Sequence, residues 1–143
     1  MSYNSSEISN NKLLSYMQSI PKAFLPNNAI EENHVINYKG VITNINLIFE
    51  FDKNCKESKT SKLIYTYYNE NNEPTIKTIL YTHGNFFVNV DNTRTSNGNN
   101  VIKSYQFDDY EIVDDKEKLT IVFQNSTDKI DFLIYNKKTG EGN

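Results

Sequence analysis

Near the start of the chain, apolar residues recur with the period of a helix. Four of them share one face at this spacing: Leu13, Leu14, Met17 and Ile20. Ser5 or Ser6 would cap the amino end of such a helix. Pro21 would end it, because proline pushes the preceding residue out of the α region. We therefore predict one short amphipathic helix over roughly residues 7–19, followed by an irregular stretch that includes Pro26.

From His34 onward, apolar residues alternate with polar ones, which is the period of a half-buried strand. The clearest alternation runs over residues 41–51 and predicts a long strand with one buried face. Similar runs follow at residues 62–69, 75–82, 85–91, 101–107, 110–113, 118–124 and 130–135. Short polar turns separate the runs, and His83-Gly84 has the length and the glycine of a hairpin loop. No helical pattern lies between them, so we predict antiparallel hairpins rather than βαβ units.

The whole pattern predicts a mainly β fold, an antiparallel meander of about eight strands with one N-terminal α-helix. The strands would form a small barrel or a sandwich, with the helix covering one opening or one face. Residues 1–33 would hold a polar leader, the helix and an irregular linker. Residues 34–136 would form the antiparallel β domain, and residues 137–143 a flexible polar tail. A barrel of this size could enclose one small ligand, whereas a sandwich would not.

Composition and charge exclude several classes of protein. No run of about 18 apolar residues exists, so we expect no insertion into a membrane. The net charge of −3 argues against a nucleic-acid binder, which usually carries a basic surface. The single cysteine, Cys55, excludes an internal disulfide and a cysteine-based zinc site. The polar start of the chain does not resemble a signal peptide, so we expect a cytoplasmic protein, or an exported one if a signal was removed.

Asparagine occurs 22 times in the chain, whereas arginine occurs once. Asn, Ile, Lys and Tyr are all abundant and all have AT-rich codons, so the base composition of an AT-rich genome explains this bias. The source would be a low-GC bacterium, its phage, or an AT-rich virus or protist. Only the positions of these residues can therefore argue for a function.

The one arginine, Arg94, lies in the longest polar loop, residues 91–100. Arginine is well suited to bidentate recognition of a carboxylate or a phosphate, and loops on a rigid sheet commonly carry function. We therefore take Arg94 and Asn97 as candidate binding residues.

Tyrosines are concentrated on the predicted strands. Four are candidates for lining an interface or a pocket: Tyr65, Tyr67, Tyr81 and Tyr105. Tyrosine joins an apolar body to a polar tip, which suits both kinds of site. Strand propensity and packing across strands also favour tyrosine without any function, so structural packing is the favoured interpretation and a lined pocket or interface the alternative.

Carboxylates are dense between residues 108 and 117. The candidates for a weak cation site are Asp108, Asp109, Asp114 and Asp115. The spacing does not match an EF-hand loop, because no glycine falls at the required position. Solvated turns and a patch for a basic partner are the alternatives, and we assign no metal ligand.

The sequence contains no catalytic constellation. We expect His34 and His83 to lie in turns or at the surface, and Cys55 to be an incidental exposed thiol. The glycines are too scattered for a phosphate loop or a dinucleotide-binding fingerprint. We therefore expect neither catalysis nor a cofactor.

These observations favour a non-catalytic binding module, a protein-interaction or accessory protein of the inhibitor or immunity type from a phage or low-GC bacterium. Its sheet face or the loop 91–100 would contact a protein partner, and an unpaired strand edge would allow a homodimer. The alternative is a small-ligand-binding β-barrel that holds a polar or nucleotide-like molecule. A hydrolase using His83 with Cys55 or an aspartate is the second alternative. A closed barrel with a cavity would favour the ligand binder, and a filled core with an exposed aromatic patch the interaction protein.

Overall fold

The computed structural model describes residues 9–98 and 101–143 of the chain. Strands account for 44% and helices for 20%, with nine strands in two sheets, so the predicted mainly β fold with an N-terminal helix is confirmed. The helices are α1 (Asn10–Ser19), α2 (Pro26–Glu31) and α3 (Asn46–Lys56). The strands are β1 (Val35–Tyr38), β2 (Val41–Thr43), β3 (Ser61–Tyr68), β4 (Pro74–Thr82), β5 (Asn85–Asp91), β6 (Lys103–Phe107), β7 (Asp109–Asp114), β8 (Lys118–Gln124) and β9 (Lys129–Asn136).

The strands form a six-stranded sheet, in the order β2-β1-β3-β4-β5-β6, and a three-stranded sheet, in the order β7-β8-β9. Neighbouring strands are antiparallel except β1 and β3, which are parallel. The chain changes sheets at Asp108, the one residue between β6 and β7. Both sheets are open, so the nine strands of the described residues do not close into one barrel.

Three layers result, because alternate side chains of each strand point to opposite faces of the sheet. In β4, Ile76 and Leu80 face α1 and α2, whereas Ile79 faces the three-stranded sheet and α3. The core on the helical side contains Leu13, Met17, Ile20, Phe24, Ala29, Ile36, Ile64, Ile76 and Leu80. The core between the sheets is filled largely by aromatic rings, such as Phe123, which meets Phe132 at 5.7 Å between ring centroids.

A buried lysine joins the two sheets. Lys77 of β4 points between them, and its Nζ donates to the backbone carbonyl oxygens of Phe132, at 3.0 Å, and Asp131, at 3.4 Å. The register between β8 and β9 shifts near this point, which leaves Phe132 without a partner in the ladder. Burial lowers the pKa of Lys77 to about 8 although Asp131 opposes the shift. The ammonium therefore donates to the carbonyl group of Phe132, a residue that lies outside the regular ladder.

The prediction of one strand over residues 41–51 is wrong. Only Val41–Thr43 is a strand; the chain then turns at Asn44, whose φ is 62°, and α3 begins at Asn46. Alternate positions looked like a strand face, but the residues buried by α3 are Ile48, Phe51 and Cys55, which are three and four positions apart. Because α3 lies between β2 and β3, the predicted absence of a helix between strands is also wrong, and the parallel pairing of β1 with β3 follows from this crossover.

The first helix forms close to its predicted place. It begins one residue after Ser9, whose Oγ accepts a hydrogen bond from the backbone nitrogen of Lys12 at 3.2 Å. Ser9 is thus the cap, whereas the predicted caps Ser5 and Ser6 lie outside the described residues. The stretch expected to be irregular after it contains α2, which has Pro26 in its first turn, where proline is tolerated. No helix of the described ranges is long and apolar enough to cross a membrane.

The last residues of the chain, expected to be a flexible tail, make specific contacts with β9 and the β1–β2 turn. Gly142 forms a bridge with Tyr135, and the Oδ1 of Asn143 accepts a hydrogen bond from the backbone of Ile134 at 2.9 Å. Gly140 lies against Gly40 of the β1–β2 turn, and the Nδ2 of Asn37 donates to the carbonyl oxygen of Gly140 at 3.5 Å. This segment therefore ties the edge of the three-stranded sheet to the turn before β2.

Substitutions at two glycines with left-handed backbone test the hairpin turn and the packing of the terminal segment. Gly84, in the predicted hairpin turn with His83, has φ 79° and open space where a β-carbon would lie. We expect Gly84→Ala to lower the free energy of unfolding by about 1 kcal/mol through backbone strain alone. Gly140 has a similar φ, but a β-carbon there would lie 2.5 Å from the Cα of Gly40. We expect Gly140→Ala to cost about 2 kcal/mol in urea unfolding, because overpacking adds to strain; equal costs would show that the close contact is not maintained.

Candidate functional site

Arg94 is used inside the protein. Its side chain is 8% exposed and pairs with Asp91, itself 2% exposed, at 2.7 Å between the guanidinium and a carboxylate oxygen. The guanidinium also donates to the carbonyl oxygens of Met17, at 3.1 Å, and Ile20, at 2.8 Å. These carbonyl groups belong to the carboxyl end of α1, where the regular helical donors run out, and Met17 also accepts from the backbone nitrogen of Ile20 at 3.3 Å. Asn97 lies nearby in the same loop and is exposed.

The four candidate tyrosines belong to the core between the sheets. Tyr65 and Tyr81 are buried, and Tyr67 and Tyr105 are partly buried against the same core. Since Arg94 binds the helical layer on the other face, the structure does not bring the tyrosines and Arg94 into one pocket. The buried Tyr65 hydroxyl has no partner with good hydrogen-bond geometry among the described residues, and burial raises its pKa above the ordinary value although the nearby side chain of Asn37 opposes the shift.

The carboxylates of residues 108–117 are spread along β7 and the turn after it. Asp109 and Asp114 lie at opposite ends of β7, and Asp114 pairs with Lys137. Asp115 accepts hydrogen bonds from the backbone of Glu117 and Lys118 in the turn. In the described part of the chain, no group of three or more His, Cys, Asp or Glu side chains could hold a metal ion.

His34 and Cys55 are both buried, so the expectation that they lie at the surface is wrong. The ring of His34 lies between the Tyr16 hydroxyl, 2.7 Å from Nε2, and the Thr66 hydroxyl, 2.8 Å from Nδ1. Burial, with a smaller contribution from Lys62, lowers the pKa of His34 to about 4. The pKa of Cys55 is raised to about 12, first by burial and then by Asp52, so its thiol is not a ready nucleophile.

His83 occupies the β4–β5 turn as expected, with Nδ1 at 2.9 Å from the Thr82 hydroxyl. The hydroxyl belongs to the preceding residue, and the histidine backbone has φ 50°. This arrangement serves the turn and does not by itself orient a general base.

An apolar groove opens between α2 and the β1–β2 hairpin, and we call it the α2–β2 groove. It has a volume of about 550 Å³. Its wall consists of Leu25, Pro26, Asn27 and Ile30, at the start of α2 and within it. Its floor consists of Ile36, Tyr38, Val41 and Thr43, which are two cross-strand pairs on one face of the hairpin, with Lys39 in the turn.

Two side chains of this groove are unusually exposed for their type. Leu25 is 62% exposed and Val41 is 63% exposed, and among the large apolar side chains of the described residues only Val101 is exposed to the same degree. Sequence reasoning missed both: Val41 was placed on the buried face of a long strand, and Leu25 in a featureless linker. The turn at Asn44 and the formation of α2, which no short-range pattern indicated, create the groove.

The fold and the groove together describe a mainly β domain with one helical face and an open apolar surface. No known family model, no curated protein and no solved structure matches this chain. Any function must therefore be argued from the chemistry of its own surface.

Proposed function

We propose that this protein is a non-catalytic protein-binding module and that the α2–β2 groove receives an apolar segment of a protein partner. The observation that carries the proposal is the exposure of Leu25 and Val41 on facing sides of one groove. Apolar side chains that are exposed together in one concave surface, rather than scattered singly, are the kind of surface that marks interaction sites.

The energy available from this surface fits a specific contact. Burying an exposed Val or Leu side chain contributes about 2 kcal/mol. Two such side chains, with Ile30 and Ile36 beneath them, would form the apolar centre of a small interface. The surrounding polar groups of Asn27 and Lys39 would form its rim.

The alternative of an internal small-ligand site receives less support. The sheets are open, and the space between them holds packed side chains such as Phe123 and Phe132. A binding barrel would instead need a cavity within a closed sheet. The groove opens at the surface, where a macromolecular partner has access to it.

The test begins with native mass spectrometry of the protein purified gently from its own host, followed by titration of any co-purified partner. We expect Val41→Asp to weaken partner binding by about 100-fold, because it places a carboxylate in the apolar centre. Val101→Asp is the matched control, since Val101 is also 63% exposed but lies outside the groove. It should leave the affinity unchanged, and both variants should keep the wild-type stability because both sites are exposed.

Two results would overturn the proposal. One is a partner whose affinity is equally affected, or equally unaffected, by the two variants. The other is a retained small molecule of a few hundred daltons without any protein partner, which would favour the ligand-binding alternative.

A further inference from the structure

The helical layer of the protein ends at the α2–β2 groove. α1 lies over β4 and β5, and α2 lies over β1. Beyond α2, the side chains of Val41 and Thr43 continue the same face of the six-stranded sheet at its edge. An α-helix is about 10 Å wide, whereas strands lie about 4.8 Å apart. A helix seated beside α2 would therefore contact the sheet through Val41 and Thr43 and extend beyond the edge of β2.

The edge of β2 offers little to an added strand. The β1–β2 turn has two residues, Lys39 and Gly40, with φ 52° and 80°. In a hairpin of this kind the flanking pair, Tyr38 and Val41, is hydrogen-bonded, so Ile42 directs its N–H and C=O outward. A partner strand would gain about one pair of backbone hydrogen bonds, although strand addition derives its affinity from such bonds.

The charge at the groove favours an acidic partner. Among the residues that the structure describes, Lys39 is the one charged residue lining it, and its Nζ lies 5.3 Å from the centre of the Tyr38 ring. An ammonium group beside an apolar floor attracts a carboxylate at the rim of the interface. The acidic residues of α2, Glu31 and its cap Glu32, do not line the groove.

From these contacts we infer that the α2–β2 groove binds an amphipathic helix of a protein partner, with apolar residues facing Val41 and Leu25 and a carboxylate facing Lys39. The inference rests on the proposed function and specifies the partner segment. Such helices present apolar residues at positions i, i+3, i+4 and i+7. A carboxylate on the helix surface next to this apolar stripe would meet Lys39.

The experiment selects peptides of about 15 residues, long enough for four helical turns, from a random display library. The full chain is the bait, and peptides that also bind the Val41→Asp variant are removed. We expect the enriched sequences to show helical spacing of apolar residues with Asp or Glu beside them, and to gain helical circular dichroism on binding. Enriched sequences with alternating apolar residues, or with Lys and Arg beside them, would overturn the inference while leaving the proposed function intact.

Variants of Lys39 then test the charge directly. Lys39→Glu should lower the affinity for the selected peptide by about tenfold or more, because it replaces the attraction with repulsion. Lys39→Gln should lower the affinity by less, because it only removes the attraction. Val101→Asp, which introduces a carboxylate elsewhere, should have no effect. Equal binding by wild type and Lys39→Glu would overturn the role of the lysine. If no peptide distinguishes wild type from Val41→Asp, the groove is not a docking site and the proposed function fails with the inference.

Discussion

Replacing Arg94 with methionine will lower the free energy of unfolding by about 3 kcal/mol, because it breaks a buried ion pair. Asp91 would keep only its hydrogen bonds from Thr93 while its charge stayed buried. The carbonyl oxygens of Met17 and Ile20 at the end of α1 would also lose the guanidinium as a donor, and Met17 would still accept from the backbone nitrogen of Ile20. Urea unfolding monitored by circular dichroism measures the change.

Arg94→Lys is the control for charge. It keeps a cation near Asp91, but an ammonium cannot present the two nitrogens that reach the carboxylate and the helix end together. We expect a loss between those of wild type and Arg94→Met. The double variant Asp91→Asn with Arg94→Met should lose less than the sum of the single changes. An Arg94→Met protein that is stable but no longer binds its partner would contradict this structural role and support the recognition role predicted from the sequence.

The stability of the protein will fall by about 3 kcal/mol between pH 6.5 and pH 4 because of His34 alone. The pKa of His34 is about 4 in the folded chain, whereas the ordinary value of 6.5 applies to the solvated side chain of the unfolded chain. In this interval the unfolded chain takes up a proton that the folded chain refuses, since burial disfavours the imidazolium. The stability is therefore fully present above pH 6.5 and is lost as the pH falls towards 4.

The contacts of His34 explain why the neutral ring is preferred. Tyr16 donates its hydroxyl proton to Glu32, so its oxygen accepts from Nε2, and Thr66 donates to Nδ1. Protonation would add an N–H at Nδ1, which would face the Thr66 hydroxyl that already donates to that nitrogen. Lys62 of β3 also opposes the positive charge that protonation of His34 would add.

The measurement is urea unfolding at a series of pH values for wild type, His34→Gln and His83→Gln. We expect His34→Gln to be less stable at pH 7 but to lose most of the slope between pH 4.5 and 6.5. His83→Gln removes the exposed histidine of the β4–β5 turn and should keep the slope. The window is chosen because the carboxyl groups with lowered pKa, Glu57, Glu73 and Asp115, contribute below their ordinary values of 4.5 and 3.8. A wild-type slope retained in His34→Gln would show that another group is responsible.

Local periodicity was sufficient for much of the fold. The stripe from Leu13 to Ile20 predicted α1 within a few residues. The strands around His83-Gly84 match β4 and β5, because a two-residue turn with positive φ follows from glycine itself. These elements depend on residues close together in the chain, whose spacing decides which face is apolar.

Periodicity gave the wrong element where the same residues fit both the strand period of two and the helical period of 3.6. Over 41–51, an apolar set at every second position also contains Phe51, which belongs to the helical face of α3. Contacts of α3 with β3 and the core between the sheets decided in favour of the helix. A short segment whose apolar residues fit both a helix and a strand does not by itself show which of the two will form.

The sequence by itself determined the mainly β class, the first helix, the hairpins and the kinds of side chain available for binding. Only the tertiary structure decided what those side chains do. Arg94 meets Met17 across 77 positions of the chain, His34 meets Thr66 across 32, and Val41 is left exposed because α2 stops beside it. Burial and hydrogen bonding arise from residues that are distant in sequence and adjacent in space, so a pattern of neighbouring residues cannot specify them.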